Sequence, residues 1–159
     1  MNTRRRRAPR VLIVEDYDDA RQMYSKYLAH CGFAVSQARD GAEALRVAAR
    51  EPPDLIVMDL ALPGIDGWEA TRRLKARSAT RTTPVIALTG HALAGQEDVA
   101  RSAGCDAFLT KPCLPDELAA AIRRTLEQRQ VSLSSAPGRR TARPAAKRER
   151  RLRGSAKSV

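Results

Sequence analysis

Three short apolar runs, VLIV at 11–14, LIVM at 55–58 and VIAL at 85–88, are continuous rather than alternating. A strand with one wet face alternates apolar and polar residues, whereas a strand covered on both faces does not need to. Covered strands of this kind belong to parallel sheets packed between helices. Two weaker runs, FAVSQA at 33–38 and AFLT at 107–110, bring the candidate strands to five. Between them apolar residues recur at helical spacing. Ala20, Met23, Tyr27 and Cys31 make one stripe, Leu45, Ala48 and Ala49 a second, and Leu118, Ala121, Ile122 and Leu126 a third. PDEL at 115–118 reads as a helix start, with proline and acids in the first turn. Strand and helix therefore alternate five times. Right-handed crossovers turn that order into a doubly wound α/β sheet, (βα)5, with helices on both faces.

Composition suits such a core. Hydrophobic residues make up 43% of the 159-residue chain but aromatics only 4%, so the interior must be aliphatic. The net charge of +11 sits at the ends: residues 1–10 carry +5 and residues 130–159 carry +8, which leaves −2 for residues 11–129. Three cysteines, Cys31, Cys105 and Cys113, form no metal-ligand spacing, and an odd count without a signal peptide fits a reducing compartment. No stretch approaches the roughly 20 apolar residues of a membrane span. A cytoplasmic protein with no membrane contact is expected.

The polar residues fall at the strand ends. The first strand runs into Glu15 and Asp16, the third into Asp59, the fourth into Thr89 and Gly90, and the fifth into Lys111. Lysine is rarely buried, and the proline after it removes a backbone donor, so FLTKPC at 108–113 is an odd way to finish an interior strand. Either the strand end is ragged or Lys111 is held in place. In open α/β sheets the binding crevice lies beyond the carboxyl ends of the strands, where strand order reverses. Glu15, Asp16, Asp59 and Lys111 would meet there. Three converging carboxylates repel unless a cation joins them, and an all-oxygen set suits Mg²⁺. A carboxylate can attack phosphorus to give an acyl phosphate, with Lys111 and Thr89 placed to compensate charge on the phosphoryl oxygens.

The chain resembles the receiver domain of two-component response regulators, of the single-domain chemotaxis type. The matching pieces are VLIVEDYDD at 11–19, DLIVMDLALPGIDGWE at 54–69, PVIALTG at 84–90 and AGCDAFLTKP at 103–112, followed by a helix. The resemblance implies a flavodoxin-like sheet of order 2-1-3-4-5. It implies that Asp59 is the phosphoacceptor and that Glu15, Asp16, Asp59 and the Ala61 carbonyl hold Mg²⁺. Thr89 corresponds to the switch hydroxyl, Phe108 to the switch aromatic and Lys111 to the phosphate-contacting lysine, whose bond to Pro112 is typically cis. Ala61 and His91 occupy positions that tune dephosphorylation in relatives. The implied protein is a phosphoacceptor with self-catalysed transfer and dephosphorylation, not an enzyme on a separate substrate. A sensor histidine kinase or histidine phosphotransfer protein would supply the phosphoryl group. A downstream protein would read the face made by the fourth helix, fifth strand and fifth helix. A docking module that works without phosphorylation is the rival reading.

The domain boundaries expected are a basic disordered arm at 1–8, a receiver at 9–129 and a basic disordered tail at 130–159. The tail is rich in Ser, Pro, Gly, Ala and Arg and has too few large apolar groups to build a core. Its arginines suit non-specific contact with nucleic acid, but it lacks aromatic residues for base stacking. A docking segment or a solvated tail fits the same composition. Trp68 is expected to pack helix three, and Cys105 and Cys113 to be small buried residues.

Overall fold

A computed structural model describes residues 7–90 and 96–134. The elements are β1 (Arg10–Val14), α1 (Asp18–His30), β2 (Ala34–Ala38), α2 (Gly41–Arg50), β3 (Leu55–Asp59), α3 (Gly67–Ala76), β4 (Val85–Thr89), α4 (Gln96–Ala103), β5 (Ala107–Thr110) and α5 (Pro115–Ser134). All four strand pairings are parallel, and the sheet order is β2-β1-β3-β4-β5. The expected fold is the one observed. The order reverses between β1 and β3, and the crevice of such a sheet opens there.

The continuous apolar runs are explained by burial on both sides. Leu12, Val14, Ile56, Met58, Val85 and Ala87 pack with Ala44, Leu45 and Ala48 of α2 and Ala70 and Leu74 of α3. The intervening Val11, Ile13, Leu55, Val57, Ile86 and Leu88 pack with Tyr24 and Leu28 of α1 and Leu118, Ala119 and Ile122 of α5. Successive strand side chains point to opposite faces, so neither face has room for a polar residue. Trp68 packs against the first cluster as expected, and Cys105 and Cys113 are buried.

Two helical stripes differ from the expected ones. In α1 the buried residues are Tyr24, Ser25 and Leu28, while Met23 and Tyr27 are 45% and 37% exposed. In α2 Ala44, Leu45 and Ala48 are buried and Ala49 faces solvent. Each helix carries apolar residues on adjacent positions, and spacing alone does not say which of two neighbouring stripes meets the sheet.

The boundaries also shift. α5 continues through Ser134, five residues past the expected limit of 129. Nothing in RQVSLS at 129–134 breaks a helix, and the Arg129 guanidinium is anchored to Asp54 O at 3.1 Å and Thr82 Oγ1 at 3.4 Å. Val131 and Leu133 are exposed, so the helix outruns the core and its apolar pattern ends before the helix does. At the other end Arg7, placed in the arm by the sequence, is held by Asp54 at 3.0 Å. Residues 1–6 of the arm, His91 and the tail from 135 lie outside the described residues.

Local signals set the helix starts near the crevice. Asp40 accepts from Glu43 N at 2.7 Å and Asp66 from Glu69 N at 2.8 Å, each satisfying an orphan amide of a first turn. Gly67 lets α3 begin directly over the end of β3: a Cβ there would collide with the Asp59 carbonyl oxygen and sit 2.7 Å from Leu60 Cα.

Candidate functional site

Every strand-end residue singled out in the sequence lies at the carboxyl edge of the sheet. Glu15 follows β1 and is 1% exposed; Asp16, next to it, is exposed. Asp59 is the last residue of β3 and is 3% exposed. Carboxylate oxygens of Glu15, Asp16 and Asp59 all lie within 4.8 Å of one another. Lys111 reaches in from the far side of β4. Its Nζ donates to Glu15 Oε2 at 2.6 Å and to Asp59 Oδ2 at 2.8 Å. The strand end is therefore not ragged: the lysine amide bonds Thr89 O at 2.7 Å, and its side chain closes the acid cluster. The Lys111–Pro112 bond is cis.

Backbone donors orient the carboxylates. Ala61 N donates to Asp59 Oδ1 at 2.9 Å, and Tyr17 N to Glu15 Oε1 at 3.1 Å. Burial pushes the Glu15 carboxyl up; its hydrogen bond to Lys111 pulls down, and the nearby Asp59 charge pushes up again. For Lys111, burial opposes the ammonium form, but hydrogen bonds to Asp59 and Glu15 overturn that and leave its pKa above the ordinary lysine value. The pocket thus carries more negative than positive charge. Three hard oxygen donors, one of them facing solvent, with no nitrogen or sulfur ligand in the cluster, fit a hard divalent cation such as Mg²⁺.

Thr89 ends β4, beside the strand whose last residue is Asp59. Phe108 lies in β5 opposite Ala87 and is partly buried against the α2–α3 side of the core. Ala61 is exposed, just past Asp59.

Two contributors had no signal in the sequence. Arg21 of α1 donates to Glu15 O at 2.9 Å and Asp16 O at 3.4 Å and pairs with Asp18, which straps the acidic loop to its helix. Tyr24 donates from its hydroxyl to Cys113 O at 2.8 Å. Both act on backbone carbonyls of another segment, and a carbonyl partner leaves no mark in side-chain spacing.

A family model for the response regulator receiver domain matches residues 11–123. The chain belongs to that family. Among curated receiver proteins it is 39% identical over 102 residues to the polar-differentiation response regulator DivK of Brucella anthropi, a match covering 64% of this chain and 83% of that protein. Among solved receiver structures, the chemotaxis response regulator CheY4 of Vibrio cholerae superposes with a TM-score of 0.71 at 31% identity, covering 74% of this chain and 98% of that one. The receiver domain of a sensor histidine kinase from Pseudomonas aeruginosa PAO1 gives a TM-score of 0.70 at 35% identity, over 76% of this chain and 98% of that one; its structure has a magnesium ion coordinated in the active site cleft. For this receiver, no helix among the described residues is long and apolar enough to cross a membrane.

Proposed function

We propose that this receiver takes a phosphoryl group onto Asp59 from a phosphohistidine of a sensor histidine kinase or phosphotransfer protein, and relays the change to a protein partner. The observation that carries the reading is the Lys111 ammonium set between Asp59 and Glu15 at 2.8 and 2.6 Å, inside a cluster of three carboxylates. A half-buried lysine that reaches two buried acids from another strand is placed to follow charge as it moves from carboxylate to phosphate.

A carboxylate oxygen of Asp59 attacks phosphorus, the new P–O bond forms, and the P–N bond to histidine breaks with its electron pair leaving on the imidazole. Ala61 N–H holds Oδ1 and so fixes the carboxylate plane during approach. Lys111 then serves a phosphoryl oxygen in place of the Asp59 oxygen it holds at rest. Asp16, Asp59, the Ala61 carbonyl and Glu15 would hold Mg²⁺, which would supply positive charge for the phosphoryl oxygens. Thr89 turns its hydroxyl toward the phosphate, and Phe108 follows into the space this leaves. The face formed by α4, β5 and α5 changes with them, and the partner reads that face. Self-catalysed hydrolysis resets the domain; Ala61, which has no polar side chain to hold an attacking water, favours a long-lived acyl phosphate.

The deciding experiment is intact-mass measurement after treatment with a small phosphodonor and Mg²⁺. The wild-type chain gains one phosphoryl mass and Asp59→Asn gains none. A phosphorylated Asp59→Asn chain would overturn the assignment, and an unmodified wild type would favour a docking module that works without phosphate.

A second contact is favoured by one observation. Arg7 and Leu133, described residues of the two basic ends, line the same groove with Phe33, Arg123 and Leu126, beside the amino ends of the strands. That pole lies at the opposite end of the sheet from the acid cluster. We assign to the ends a non-specific contact with nucleic acid that leaves the phosphoacceptor free.

A further inference from the structure

The site depends on where Lys111 starts from. Its side chain is a flexible four-carbon stem, and meeting Glu15 Oε2 and Asp59 Oδ2 together requires a fixed backbone origin. On one side that origin is secured by the ladder bond from Lys111 N to Thr89 O. On the other the chain turns through Pro112, which has no amide hydrogen, and α5 begins only at Pro115.

Across that gap lies Tyr24. It is 4% exposed in the middle of α1, packed among Leu28, Leu118 and Ile122. Its hydroxyl donates to the carbonyl of Cys113, two residues past the lysine and 89 positions away in sequence, at 2.8 Å. A phenylalanine ring would fill the same volume, so packing alone does not call for the hydroxyl. What the hydroxyl adds is a partner for a buried carbonyl in the turn that follows Lys111. Burial, followed by the neighbouring Cys113, raises the phenol pKa, which keeps it a donor.

We propose that Tyr24 is a positioning residue for the acid site: its hydrogen bond to the Cys113 carbonyl fixes the turn from which Lys111 reaches Glu15 and Asp59. The inference rests on the reading of Lys111 as the phosphate-contacting group, and extends it to a residue in α1, the helix of the fold's first crossover.

The test uses the full chain with Tyr24→Phe, which removes one oxygen. The first readout is the side-chain ¹⁵Nζ resonance of Lys111, assigned by its loss in Lys111→Arg. It should be sharp in the wild type and broadened or shifted in Tyr24→Phe, while amides of β1 and β3 keep their positions. The second is the rate of acyl phosphate formation from a small phosphoramidate donor with Mg²⁺. That rate should fall on the order of threefold to tenfold, since a small misplacement of a charge-compensating group costs rate steeply. In a Lys111→Ala background the same substitution should cost nothing further. An unchanged Lys111 resonance overturns the proposal whatever the rate does, and so does an equal fold-loss in both backgrounds. If the wild type forms no acyl phosphate, the reading of Asp59 fails, and the Lys111 resonance still decides the role of Tyr24.

Discussion

Lys111 Nζ and Asp59 Oδ2 stand 2.8 Å apart although 52 residues of chain separate them. Asp59 ends β3 and Lys111 follows β5, two strands that do not touch, with β4 between them. The same ammonium also holds Glu15, which follows a third strand, β1. One side chain therefore ties three of the five strands together at the crevice.

Removing that ammonium should separate chemistry from folding. Lys111→Ala takes away the nearest fixed positive charge from Asp59. Loss of one well-placed charge-stabilising donor commonly costs about 10²–10³ in rate. The expected result is slow acyl phosphate formation in a folded chain, read by time-resolved intact mass alongside circular dichroism. A rate within threefold of wild type would remove Lys111 from the mechanism.

Metal binding should stabilise the domain. Three carboxylates within 4.8 Å repel one another, and a cation that binds only the folded state stabilises it by RT ln(1 + [L]/Kd). At ten times Kd this amounts to about 1.4 kcal/mol. Millimolar Mg²⁺ should raise Tm for the wild type but not for Asp16→Ala. Asp16 is exposed, so its removal leaves the packing intact. Trp68, near the start of α3, should change its fluorescence in the same titration.

Cys105 predicts a loss of stability in alkali. Burial, ahead of a weaker opposing hydrogen bond from Thr71, pushes its thiol up to about 11 from an ordinary value of 9.0. Between those values the unfolded thiol has lost its proton while the folded one keeps it. Unfolding then releases a proton, so this contribution is fully present below pH 9 and is lost as pH rises toward 11. Urea unfolding should show Cys105→Ala less sensitive than wild type across that window, by at most about 1.4 kcal/mol per pH unit. Identical pH profiles would show that the thiol ionises freely in the folded state.

The basic ends should bind duplex DNA without affecting phosphorylation. Residues 1–10 and 130–159 carry +5 and +8. If they neutralise phosphates, log K should fall with log salt by about 0.9 per contact, whatever the base sequence. A chain trimmed to residues 7–134, which keeps the Arg7–Asp54 pair and all of α5, should lose most of this affinity and phosphorylate normally. No DNA affinity in the full chain at low salt would leave the ends as a protein-docking or solvated segment.

Much of the site was legible because polar residues at the ends of covered strands have few structural reasons to be there. Glu15, Asp59 and Lys111 each stop an apolar run, and sheet topology then brings them to one edge. Arg21 and Tyr24 were not legible. Their partners are carbonyl oxygens of Glu15, Asp16 and Cys113, which every residue type offers equally.

Taken alone, the sequence determined the strands, their order along the chain and the residues at their carboxyl ends, since local apolar pattern and crossover handedness leave few alternatives. The tertiary structure alone decided which stripe of α1 is buried: Tyr24 and Leu28 meet the sheet, and the equally spaced Met23 and Tyr27 face solvent. It also decided that α5 runs on past residue 129, because Arg129 is anchored to Asp54 and Thr82, residues distant in sequence. Periodicity is a property of one segment, whereas the angle at which a helix docks and the contacts that extend it depend on the surfaces it meets.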